Sequence, residues 1–198
     1  MRSLVFILIL LFSGNLKADE YFFNVGNNHS AFPFSRFSKL AYKDFNMSFE
    51  LGKRYHLRKS LKRTWSQTAS IAYFRHKFVQ SGIWLYGENE YHKYIRPHFS
   101  FHAGLGLGYN HMFTGTTITQ QGADGLLEVK KDFGRPQAIF GASLGATRSL
   151  IKDVNSAPKI GLLYQIRMQT PFVKSYVPLL PYNALKISLI FPIHNKDA

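Results

Sequence analysis

The stretch from Pro97 to Tyr109 (PHFSFHAGLGLGY) limits what this chain can fold into more than any other segment. Phe99, Phe101, Ala103, Leu105, Leu107 and Tyr109 take alternate positions, with His98, Ser100, His102, Gly104, Gly106 and Gly108 between them. A period of two puts the sets on opposite faces of an extended strand. Three glycines so close together also disfavour a helix. The pattern recurs through Phe45, Met47, Phe49 and Leu51, then through Trp65, Ala69, Ile71 and Tyr73. It returns from Ala138 to Ala146, from Ile160 to Met168 and from Leu185 to Ile193. Weaker segments near 81–86 and 126–131 bring the expected strand count to about eight.

Polarity decides which kind of sheet this is. A soluble sandwich or lipocalin-like barrel also alternates, but its apolar face points inward and its outer face is normally charged. Here the face opposite the apolar one is mostly Gly, Ser, Thr and Asn with isolated charges, which suits a narrow lumen filled by side chains. Segments of about ten residues with one apolar face mark a spanning outer-membrane barrel. The expected fold is therefore all-β, a closed antiparallel transmembrane β-barrel of about eight strands. Aromatic residues at strand ends (Trp65, Tyr73, Tyr109, Tyr164, Phe191) suit interfacial girdles. Closure matters because unpaired backbone groups cost several kcal/mol each in hydrocarbon.

The N-terminus agrees. One charge at Arg2, an apolar run from Leu4 to Phe12 and a small residue at Ala18 form a secretory signal peptide. An uncleaved anchor is the alternative, although the run falls short of the roughly 20 residues a spanning helix needs. Cleavage after Ala18 removes Arg2 and Lys17, so the formal charge falls from +14 to +12. A length of 198 residues allows one domain. The absence of cysteine excludes a disulfide scaffold, a cysteine nucleophile and a lipid-anchored lipoprotein. The expected layout is a signal peptide at 1–18, a periplasmic lead or lumen plug at 19–40, the barrel at 41–193 and a tail at 194–198. Segments 53–63, 87–97, 132–135 and 170–182 are then expected outside the cell. Segments 76–78, 120–125 and 149–157 are expected as periplasmic turns, with both termini in the periplasm.

With these residues in view, a resemblance can be stated. The signal peptide, HFSFHAGLGLGY (98–109), GRPQAIFGASLGA (134–146) and the run from Ile160 to Ile193 look like the small outer-membrane β-barrel proteins of Gram-negative bacteria, often called porin-like. The segment from Pro171 to Pro181 is similar to a loop of such proteins. The usual terminal aromatic residue is replaced by Phe191, followed by Pro192-Ile193 and a polar tail. The resemblance implies a location in the bacterial outer membrane and contact with the barrel-assembly machinery, outer-membrane lipid and lipopolysaccharide. A monomer is expected. The group has no single activity, so its motifs speak to architecture.

Three sets of residues are candidates for chemistry. Lys53, Arg54, Arg58, Lys59, Lys62 and Arg63, with His56 among them, form the densest basic run. It is expected to meet lipopolysaccharide phosphates or to be a solvated loop. Export disfavours nucleic acid as the partner. Glu50, Arg167 and Lys186 share the inward parity of the first, penultimate and last expected strands. Closure should bring them together near the outer end as a lumen ion-pair network. His98, Ser100 and His102 form an inward polar row, and His-x-Ser is similar to the lipid A deacylase barrels, though the residues that follow the Ser there are absent. His98 and His102 lack a third ligand for a metal, and no cofactor is expected. The functional expectation is a structural or lipopolysaccharide-binding barrel without a catalytic centre. A small channel and a lipid A-modifying enzyme are the alternatives.

Overall fold

The computed structural model describes residues 18–30, 45–76, 80–115, 119–121, 126–129, 133–151, 157–171 and 178–193. The signal peptide before Ala18, residues 31–40, most of the segment from Pro171 to Pro181 and the tail lie outside them. The strands are β1 (Glu20–Ser30), β2 (Met47–Lys59), β3 (Arg63–His76), β4 (Gln80–Arg96), β5 (Phe99–Thr114), β6 (Thr119–Gln121), β7 (Leu127–Val129), β8 (Arg135–Ser149), β9 (Lys159–Thr170) and β10 (Leu180–Pro192). Eight of them close into a barrel in the order β1-β10-β9-β8-β5-β4-β3-β2, each pairing antiparallel with its neighbours. β6 and β7 pair only with each other.

The expected count of eight holds, but two members differ. Residues 20–30 are a wall strand rather than a lead or plug, so the barrel begins at Glu20 and not at 41. Tyr21, Phe23 and Val25 face out, while Glu20, Phe22 and Asn24 face in. The inward Phe22 and the polar run Asn27-Asn28-His29, where Asn27 and Asn28 are both buried, hide this alternation in the sequence. β1 pairs with β2 on one side and β10 on the other, so it is the strand that removes the sheet edges. The segment at 126–131 instead supplies β7 of the small hairpin.

These changes move whole segments from one end of the barrel to the other. The connections 60–62, 97–98 and 150–158 lie at the same end as both termini. There Ser60 N donates to Arg63 O (2.8 Å), Tyr94 N to Lys62 O (3.0 Å) and Ser149 N to His98 O (2.9 Å). The strand ends at Ser30, Met47, His76, Gln80, Thr114, Arg135, Thr170 and Leu180 mark the other end. Segments 53–63 and 87–97 were expected opposite the termini and instead run into the terminus end. His76, expected at the terminus end, closes β3 at the opposite one; residues 77–78 and 122–125 lie outside the described residues. Counting 126–131 as a wall strand while omitting 20–30 inverted every element before β8.

The polarity is inside-out. Leu105 is 71 % exposed on the outer wall, while Lys186 is 1 % exposed and points inward. Leu51, Ile71, Leu144, Leu162 and Ile187 continue the outer apolar band, each at least half exposed. A continuous band of this kind is too large for a soluble monomer surface. In hydrocarbon the same surface is satisfied, and the closed ladder leaves no wall edge unpaired.

Candidate functional site

The lumen gathers the chain's unusual chemistry. Alternation delivers inward side chains from every wall strand, and shear stacks them in layers. At the terminus end, Arg54 Nη1 donates to Glu20 Oε2 and Arg54 Nε to Glu90 Oε2, both at 2.8 Å. Lys159 Nζ lies 2.6 Å from Glu20 Oε1. The His92 ring is 2.9 Å from Glu90 Oε2 and stacks on His102 with centroids 5.1 Å apart.

Deeper in, Glu50 collects the second network. Lys186 Nζ is 2.8 Å from Glu50 Oε2, and Arg167 Nη2 is 3.0 Å from Glu50 Oε1. Ser70 Oγ donates to Oε1 at 2.8 Å and Gln165 Nε2 to Oε2 at 3.1 Å. The carboxylate thus has two cations and further donors around it, as a buried charge requires. Glu88 accepts a hydrogen bond from Ser143. The opposite face of Arg167 is covered by aromatic rings, with its guanidinium carbon 4.2 Å from the Tyr86 centroid and 4.7 Å from that of Trp84.

Above Arg167 an aromatic cap closes the lumen. The unbroken alternation of β3 and β4 brings Phe74 and Trp84 inward, where their centroids are 4.5 Å apart. Tyr182 from β10 meets them edge-on at 5.3 and 5.9 Å. Ile139 and Met112 pack around the trio. Gln80 donates to both Tyr182 and Gln169 at the rim. A lumen cavity beside Glu50 and Arg54 is about 10 Å³, which is room for about one water.

Two glycines make this packing fit. A Cβ at Gly145 would strike the His102 ring, and one at Gly104 would strike the Glu88 carboxylate. Both therefore mark places where an inward side chain lies across the backbone of the neighbouring strand.

The sequence-derived candidates divide as follows. Glu50, Arg167 and Lys186 meet, although below the aromatic cap rather than near the outer end. Arg54 leaves the basic run, because its side chain is in the lumen between two carboxylates and is 5 % exposed. Lys53 is outward, over the Tyr21 ring at 5.3 Å. His56 is half-buried, and its backbone N–H donates to Asp19 Oδ2. Arg58, Lys59, Lys62 and Arg63 are exposed at the terminus end. Ser100 and His102 point into the lumen, but His98 sits in the β4–β5 turn, so the expected row of three is a pair. Ser100 Oγ shares a hydrogen bond of 2.7 Å with Thr147 Oγ1 rather than with a histidine. Among the described residues no group of three or more His, Asp or Glu is placed to hold a metal ion.

Glu20, Glu88, Glu90, His92 and Lys159 were not singled out from the sequence. Glu88, Glu90 and His92 share a parity, which was a readable signal. It was masked by Trp84 and Tyr86, large aromatics on the inward face of the same strand.

No family model and no curated protein matches the chain. Solved structures do. The outer membrane enzyme PagL superposes with a TM-score of 0.50 at 10 % identity, over 88 % of this chain and 99 % of PagL. Neisserial surface protein A gives 0.48 at 7 % identity, over 88 % and 95 %. Ail, the attachment invasion locus protein of Yersinia pestis, gives 0.41 at 15 % identity, over 88 % and 100 %. The likeness to PagL is one of fold. Fold and polarity together make this chain a small eight-stranded β-barrel of the bacterial outer-membrane type.

Proposed function

We propose that the chain is a non-conducting outer-membrane barrel whose work is done by its outer surface and ends, in a structural or binding role. The supporting observation is the sealed lumen, with two ion-pair layers beneath an aromatic cap and a cavity of only about 10 Å³. The terminus end faces the periplasm in this reading, because short turns are typical of that side and longer loops of the other. The basic residues around Arg63 then meet the inner leaflet rather than lipopolysaccharide. The channel alternative requires a continuous aqueous path, which Glu50 with its cations and Trp84 with its aromatic partners both block. The lipid A-modifying alternative finds no support in Ser100 and His102, since both face the lumen and not lipid.

Planar-bilayer recording tests the reading. The refolded protein is expected to leave bilayer current at the leak of a protein-free membrane across the usual voltage range. Reproducible unitary steps from heat-modifiable, folded protein would overturn it.

A further inference from the structure

Among the described residues, the outer wall carries a recess. A groove of about 540 Å³ crosses the barrel exterior obliquely from β3 to β9, within the usual size range of ligand pockets, roughly 300–1,000 Å³. Its floor is small, at Ala103 and Ala142, whereas the surrounding wall is bulky. Trp65 and Tyr91, with centroids 4.9 Å apart, border it toward the terminus end, and Leu144 and Tyr164 border the far side.

Directly beneath the aromatic pair lies a pair of cations. Arg63 and Lys93 are cross-strand partners, as are Trp65 and Tyr91. Two residues separate the levels, about 6–7 Å along the strands. Arg58 pairs with Trp65 across the β2 bulge, and Arg96 and Arg148 flank Phe99. All five cations are exposed, and among the described residues none has an ion-pair partner. The glutamates of β1, β2 and β4 all point into the lumen, so they do not neutralise this rim. Asp19, the remaining described acid at this end, serves His56. Like charges directly opposite one another are destabilising on a sheet, so among the described residues the rim is left un-neutralised and complementary to an anion.

We propose that the rim and the groove form one site for an anionic phospholipid of the periplasmic leaflet. Its phosphate is held by Arg63 and Lys93 and one acyl chain lies over Ala103 and Ala142. Arginine can grip a phosphate bidentately, and anionic headgroups draw in juxtamembrane cations. The aromatic pair sits between headgroup and chain, at the level where Trp and Tyr are favoured. The site deepens the outer-surface role proposed above and rests on its membrane orientation.

Native mass spectrometry of the folded protein released from detergent micelles tests this, with phosphatidylglycerol and phosphatidylcholine of identical chains as probes. A single phosphatidylglycerol adduct is expected to survive over phosphatidylcholine by roughly tenfold or more, from about 1 kcal/mol per engaged cation. Arg63→Gln with Lys93→Gln should bring the two lipids to near parity. Ala103→Phe with Ala142→Phe, which fills the groove, should lose the phosphatidylglycerol adduct while the protein stays heat-modifiable. Arg75→Gln with Arg135→Gln, at the opposite end, should change nothing. Equal retention of both lipids by the wild-type protein would overturn the proposal. So would displacement of the adduct by glycerol phosphate, which lacks acyl chains and would reduce the site to plain anion binding. Either failure leaves the non-conducting reading intact, because bilayer current reads the lumen and not the outer wall.

Discussion

Glu50→Ala is expected to remove about 3–5 kcal/mol of unfolding free energy, the scale for breaking a buried pair from one side. Glu50 is 3 % exposed and Lys186 and Arg167 are 1 % and 2 % exposed, so water does not reach the cations once the carboxylate is gone. The Arg167 guanidinium and the Lys186 ammonium would then share the site without a counter-charge. Glu50→Gln separates the causes. The amide can keep the hydrogen bond from Ser70 and lose the charge, so the account expects it to stay close to the alanine variant. Lys186→Met should cost less than Glu50→Ala, because Arg167 still compensates the carboxylate. Adding Arg167→Met and Lys186→Met to Glu50→Gln should recover much of the loss by removing the unpaired charges. Urea titration of protein refolded into lipid vesicles reads all four variants. A loss below about 1 kcal/mol for Glu50→Ala, the level of an exposed pair, would contradict a buried network.

Trp84→Ala is expected to cost a similar amount, about 3–5 kcal/mol, as for large-to-small substitutions in packed interiors. Trp84 is 1 % exposed, contacts Phe74 and Tyr182, and presents its ring to Arg167. Its removal deletes both packing and a cation–π contact. Trp65→Ala is the contrasting variant, since Trp65 is half exposed on the outer wall, and its loss should be clearly smaller. The two tryptophans are the chain's only ones, so each single variant leaves one reporter for the titration. The Glu50 network lies below the cap. Bilayer current should therefore remain at the leak even with Trp84 truncated. Equal losses from both tryptophan substitutions would mean that Trp84 is not in a packed lumen.

Architecture was largely legible because period two survives in single strands. The run from Phe99 to Tyr109 carried both its extended geometry and its inward face of Ser, His and Gly. The meeting of Glu50 with Arg167 and Lys186 followed from parity and closure, which need no knowledge of register. What parity cannot give is position along the axis, and the trio sits deeper than expected for that reason. Large side chains inside the lumen did most to blur the pattern. Phe22 hid β1 in this way, and Trp84 with Tyr86 shortened the visible part of β4, which runs for 17 residues. Because direction along the barrel alternates, one missed strand and one extra strand reversed the ends of everything between them. The basic run was therefore recognised by composition but assigned to the wrong rim, and the odd one out, Arg54, was an inward residue by its even number. The outer groove had no sequence signal at all. It arises only when Ala103 and Ala142, 39 positions apart, are brought to adjacent strands.

Apolar side chains face lipid around a closed cylinder with a filled interior. Gel mobility of the protein in isolated outer membranes, with and without boiling in SDS, tests it most directly. A compact, faster-migrating band is expected without boiling, shifting to the position of the unfolded chain after it. A band that does not shift, from a chain recovered as a soluble monomer without detergent, would contradict it.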